Sequence, residues 1–188
     1  MEIFGNFDES TASDEYLVLG FSPSSMPLKQ RWRNNGLSAD FLADYLTTFF
    51  PAGETDTNAV DKQVEVKGAV GYIANELLEN AMKFNDSESG FPVNIQLQLH
   101  NDCIIFHVTN SIPAETVPKF QNFIRQLLSS DPQELYIEQL EKTDDHHASC
   151  VGLLTMVNDY MAELGWKFDI VEKNQPVVTV TTMVKLAI

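Results

Sequence analysis

The sequence predicts an α+β fold, a two-layer α/β sandwich with helices on one face of a sheet. Three patterns carry that expectation. Val93, Ile95, Leu97 and Leu99 alternate with Asn94, Gln96, Gln98 and His100, the period of a half-buried strand, and Ile104, Phe106 and Val108 begin a return strand after Asn101-Asp102. Val70, Ala74, Leu77 and Ala81 recur at helical spacing ahead of that hairpin, as do Phe120, Phe123, Ile124, Leu127 and Leu128 behind it. Lys167 to Glu172 and Val177 to Leu186 read as a closing pair of strands.

The chain has 188 residues, 44% of them apolar, enough for one core. Residues 62–188 form the expected main domain, and 1–61 an N-terminal extension packed on it. With 12 basic and 27 acidic residues the net charge is −15, which argues against nucleic-acid binding and against docking on an anionic membrane. No apolar run approaches the roughly 20 residues of a membrane helix. Met1-Glu2-Ile3-Phe4 lacks the basic start of a signal peptide, and Cys103 and Cys150 form no disulfide framework or metal spacing. These features predict a cytoplasmic protein.

Taken in order, residues 1–15 hold Glu2, Asp8, Glu9, Asp14 and Glu15 without a base and read as a solvated lead-in. Tyr16 to Phe21 reads as a strand broken by Ser22-Pro23-Ser24-Ser25, and Lys29, Arg31 and Arg33 make a small basic cluster in a loop. Ser38 is the expected N-cap of a helix running to Phe50 before Pro51. Its Phe41, Tyr45 and Phe49 can pack on the sheet or on a second copy, leaving a homodimer open. A loop is expected over 51–61, the central helix over 68–84, and a loop over 85–90. A helix follows over 114–129, and Asp131-Pro132 with Glu134 starts another that runs to about Glu141. Residues 143–149 read as a polar loop, and Val151 to Leu164 as a helix stopped by Gly165.

On the central helix Glu76, Asn80 and Lys83 share one stripe at i, i+4 and i+7. An acid, an amide and an amine on one stripe suit a nucleotide. The carboxylate can orient or deprotonate a hydroxyl, the amide oxygen can ligate Mg²⁺, and the ammonium can meet phosphate. A solvated helix edge has the same spacing.

The run Asn75–Asn85, NELLENAMKFN, resembles the N box (ExxxNAxKF) of the GHKL superfamily of ATPases and kinases. The hairpin, a two-helix insert and the run CVGLLTMVNDYMAELGWKFDI over 150–170 follow in that family's order, and 134–160 is particularly similar to SiaB-like bacterial protein kinases, relatives of anti-sigma-factor serine kinases. The resemblance covers about 62–188 and implies a Bergerat-type sandwich with a mixed sheet. It implies Mg²⁺ and ATP as cofactors, Glu76 as general base, Asn80 as the Mg²⁺ ligand, and Lys83 near phosphate. Asn110 would meet the adenine amino group, and Gly152 would lie at a helix N-terminus facing phosphate. The implied activity is serine/threonine phosphorylation of a small protein partner, of the STAS type. The alternative is a degenerate module that regulates by protein binding without catalysis.

Several residues depart from the family's pattern. Asn110-Ser111-Ile112-Pro113-Ala114 stands where that family has DxGxG, so the charge and both glycines are replaced. Ala148 and Cys150 occupy expected glycine positions, and only Gly152 remains. No histidine precedes His100, which excludes an autonomous sensor histidine kinase. His146 and His147 beside Asp144 and Asp145 offer no third metal ligand, and His100 and His107 read as ordinary sheet residues. Ser111 lacks a hydrolase's companions. The acidic edge over 131–145 is expected to face solvent or a basic partner.

Overall fold

The central helix, α2 (Thr57–Phe84), organises the molecule. Its buried residues (Val66, Ala69, Val70, Ile73, Ala74, Leu77, Leu78, Ala81 and Met82) recur at helical spacing and form one apolar flank. This computed structural model describes residues 1–9, 13, 15–22, 32–50, 57–141, 148–172 and 176–188. The other elements are β1 (Glu2–Gly5), β2 (Glu15–Phe21), α1 (Trp32–Thr47), β3 (Val93–Leu99), β4 (Cys103–Ser111), α3 (Val117–Ser129), α4 (Pro132–Glu141), α5 (Ala148–Tyr160), β5 (Glu163–Glu172) and β6 (Pro176–Ala187). A short 3-10 turn over Ala114–Thr116 precedes α3.

The six strands form one sheet in the order β1-β5-β6-β4-β3-β2. Each pairing is antiparallel rather than mixed, because β6 lies between β4 and β5 and keeps those two strands apart. Ile95, Leu97, Ile104, Phe106, Val108, Trp166 and Val184 belong to the main core, with the buried residues of the helices. Burial of this alternating set fixes the register, since a one-residue slip would turn it outward.

Residues ahead of position 62 are woven into this sheet. β1 and β2 form its two outer edges, so the first residues are not a solvated lead-in. Of the link between them, the described residues Phe7 to Glu9 lie against the face opposite the helices. Phe7 packs edge-on against His107, with ring centroids 5.7 Å apart, and joins Cys103, Ile105 and Met183 in a second small core. His107 Nε2 lies 3.1 Å from the Asp8 carbonyl oxygen, Lys167 pairs with Glu9 at 2.8 Å, and Ser13 Oγ donates to the Leu99 carbonyl at 2.6 Å. Gly165 is required there, since a Cβ would come within 2.6 Å of the Phe7 backbone.

Several helix boundaries differ from those expected. α1 ends at Thr47 rather than Phe50, α3 starts at Val117 after the 3-10 turn, and α5 starts at Ala148 rather than Val151. α1 begins before Ser38, which instead donates its hydroxyl to the Asn34 carbonyl four residues back, at 2.8 Å. α2 begins at Thr57, well ahead of Val66, its first buried residue among those described. Its early part is tied to the end of α1 by Gln63 Nε2, which donates to the Thr47 and Phe50 carbonyls at 3.1 and 2.8 Å. α5 ends at Tyr160, not Leu164: Met161 takes φ 52° and the Ala162 N–H closes on the Met156 carbonyl at 3.0 Å. Gly165 therefore sits in a strand. Asp131 caps α4 as expected, its Oδ1 accepting from the Gln133 and Glu134 N–H groups at 2.9 and 3.1 Å. Pro23 to Ser25, Lys29, Arg31, Pro51, Asp144, Asp145, His146 and His147 lie outside the described residues, as do the side chains of Arg33 and Cys150.

Candidate functional site

A cavity of about 340 Å³ lies between α2, α3, α5 and the helix-covered face of the sheet. Leu77, Asn80, Ala81 and Phe84 line it from α2, Val108 and Asn110 from β4, and Trp166, Val180 and Thr182 from β5 and β6. Phe120, Phe123 and Lys119 close it from α3, with Leu153 from α5 and Ile112 and Thr116 from the turn after β4. Its volume falls in the roughly 300–1,000 Å³ range of small-molecule sites.

Helix geometry explains which members of the predicted stripe reach it. At 100° per residue, with Asn80 at zero, Phe84, Leu77 and Ala81 fall at about +40°, +60° and +100°. Glu76 and Lys83 fall on the other side, at about −40° and −60°. The cavity takes the positive side. Asn80 is therefore the edge shared by two stripes, and it lines the cavity while Glu76 and Lys83 do not.

Asn110 meets Asn80 in the same cavity wall. Its Nδ2 donates to the Ser111 carbonyl at 2.8 Å, which orients the amide and leaves the oxygen as its accepting atom. Ser111 is fully buried and anchors this turn. Its N–H and hydroxyl both donate to Asn85 Oδ1, at 3.2 and 3.0 Å, and its hydroxyl lies 2.8 Å from the Ser89 hydroxyl. The Asp86 N–H donates to the Ser111 carbonyl at 3.1 Å. The turn that carries Ile112 is thus tied to the loop after α2. Ile112 is buried and forms part of the cavity wall without filling it.

Glu76 and Gly152 meet elsewhere, in the seam between α2 and α5. A Cβ at Gly152 would overlap the Glu76 carboxylate, so this glycine is explained by close approach of a side chain. Gly152 is the fifth residue of α5, inside the helix rather than at its first N–H groups. Burial raises the Glu76 carboxyl above its ordinary pKa, and the nearby charge of Glu79 adds to the rise. Tyr72 and Tyr160 stack 5.3 Å apart in the same seam.

Lys83 is exposed, with its Nζ 5.4 Å from the centre of the Phe84 ring. Phe84 lines the cavity mouth, so Lys83 stands outside the rim. Lys119, Trp166, Thr116 and Thr182 were not singled out by the sequence. Lys119 carries the only charge among the described residues of the wall. Trp166 is 0% exposed, and its indole N–H has no hydrogen-bond partner among the described residues. An amphipathic reading of 114–129 marks Phe120 and Phe123 as buried-side residues, but nothing in it shows that they face a hollow.

Asn80 suits Mg²⁺ in that this ion keeps several waters and takes one or two protein oxygens together with phosphate. Among the described residues no group of three or more His, Cys, Asp and Glu could hold a metal by itself. No described helix is long and apolar enough to cross a membrane. The chain matches no protein-family model, and no curated protein is significantly similar to it.

Proposed function

We propose that the chain is a GHKL-type ATP-binding regulatory protein of the cytoplasm that phosphorylates serine or threonine on a small signalling partner of the STAS type. One observation carries this reading. Asn80, from the helix resembling an N box, and Asn110, from the strand end where that family reads adenine, line one cavity of ligand size. The apolar inner wall suits a purine ring, and the Asn110 oxygen can accept from an exocyclic amino group. Asn80 would hold Mg²⁺ through its amide oxygen. When bound, Mg·ATP supplies the phosphoryl group, and the chain contributes positioning and charge neutralisation. Glu76, with its raised pKa, suits a base that orients the partner's hydroxyl, and it would have to swing from the α5 seam to do so.

That last requirement favours the second reading, a module that binds a partner without turnover. Glu76 lies against Gly152, and in place of the glycine turn stand Ser111, tied to the loop after α2, and Ile112, whose N–H donates to the Val178 carbonyl at 3.0 Å. Thermal melting with Mg·ATP or Mg·ADP separates the two. A nucleotide at 100 times its dissociation constant adds about 2.7 kcal/mol of stability. The first reading expects that shift in the natural protein and its loss in Asn80→Ala. No shift at millimolar nucleotide leaves the partner-binding module.

A further inference from the structure

We propose that Lys119, on the first turn of α3, is the cationic contact for the anionic end of the cavity's ligand, and that Lys83 is not. The inference rests on the nucleotide reading of the cavity and names its phosphate-side residue.

Lys119 and Asn80 line the cavity from opposite helices, α3 and α2. Lys119 is exposed, whereas Val108, Trp166 and Val180 of the sheet wall are buried, so the charge lies at the mouth and the apolar surface at the floor. A ligand with a flat apolar head and a charged tail has one orientation that satisfies both. Its head desolvates against the floor, and its tail stays in water beside the lysine.

The ion-pair pattern points the same way. In a chain with 27 acidic residues, Lys119 pairs with no carboxylate among the described residues. Lys67 and Lys167 are paired, with Asp44 and Glu9; Lys62 and Lys185 pair with no described carboxylate either, but neither lines the cavity. Glu115 is four residues before Lys119 and forms no ion pair with it. A lysine in the first turn of a helix also stands at the unfavourable end of the helix dipole, a cost that a bound anion offsets. With a net charge of −15 the protein repels polyanions at long range, so a local cation at the mouth is needed to offset that field. Lys83 cannot serve, because it lies about 60° round α2 from Asn80, on the side away from the cavity.

The test uses Trp166 fluorescence in a Trp32→Phe background, where Trp166 is the one remaining indole of two. Titrations compare Mg·ATP, Mg·ADP and adenosine. Lys119→Ala is expected to weaken both nucleotides by about tenfold or more, the worth of one charge-assisted hydrogen bond, and to leave adenosine unchanged. Lys119→Arg is expected to retain most of the nucleotide affinity, and Lys83→Ala to stay within about twofold of the parent. Equal nucleotide affinity in Lys119→Ala and the parent overturns the inference while the nucleotide reading stands. Loss of adenosine affinity in Lys119→Ala overturns it as well, since the residue then acts on the floor and not on the tail. A parent that binds neither adenosine nor nucleotide overturns the nucleotide reading, and this inference falls with it.

Discussion

Glu76 and Asn80 are one turn apart on the same helix, yet their surroundings are opposite. Glu76 faces a helix that has lost its side chain at Gly152, so the carboxylate is pressed into a closed seam. Asn80 faces a hollow walled by aromatic and aliphatic side chains. Position along α2 is common to both, and the residue across from each one makes the difference. Spacing on a helix sets an angle, and the opposing element decides whether that angle meets protein, solvent or a ligand.

Enlarging the bare position should break the closed end. Gly152→Leu is expected to cost about 1–3 kcal/mol, the usual penalty for overpacking a filled site. In a chain of this size that lowers Tm by about 2–4 °C per kcal/mol. If the carboxylate is the obstacle, Glu76→Ala should restore most of the loss in the double variant. A double-mutant cycle with no coupling would show that the two residues do not meet.

Acidity separates the closed end of α2 from the far face of the sheet. Burial raises the Glu76 pKa, so the folded protein holds that proton more tightly than the unfolded chain does. Glu76 therefore costs stability as pH rises from the ordinary carboxyl value through its raised folded value. His107 behaves oppositely. Burial lowers its pKa against the opposing pull of Asp8, so the unfolded chain gains a proton first as pH falls below the ordinary histidine value. Stability is then lost on the way down to the lowered folded value. Denaturant midpoints across pH 4–8 should show Glu76→Gln more stable than the parent at neutral pH, with the gain shrinking as pH falls toward the ordinary carboxyl range. His107→Gln should flatten the fall below about pH 6.5. A parent curve unchanged by either substitution would contradict the burial of both groups.

The hairpin of β3 and β4 was legible because one face is buried and the other is not, which writes a period of two into the residues. The N-cap at Asp131 was legible because it is local. The edge strand β1 was not, since four residues carry too short a period and their pairing partner, β5, lies some 160 residues away. The start of α2 was missed because Val60 and Val64 are exposed while Val66 is buried, so the early turns carry no single apolar stripe. In the cavity wall, Asn80 was legible from the polar stripe of its helix, whereas Asn110 was named only through the family resemblance. Lys119 and Trp166 were not, because facing a cavity is a property of the assembled layers. Gly152 was legible as a glycine, but its reason, the carboxylate beside it, depends on how α5 crosses α2.

The smallest expected effect on stability sharpens the comparison most. Ala81 lines the open end of α2, one residue beyond Asn80. Ala81→Leu adds the same bulk as a leucine placed on an alanine anywhere in the core, but here it grows toward empty volume. Its expected cost in stability is under about 0.5 kcal/mol, because the new methyl groups meet the apolar wall and displace no neighbour. Its effect on ligand binding should be large, since it fills the space a flat ring would take. Stability near the parent's together with lost nucleotide binding is the signature of a cavity that exists to be filled. A loss of stability comparable with that of Gly152→Leu would mean that both ends of α2 are equally packed, and the contrast drawn between Glu76 and Asn80 would vanish.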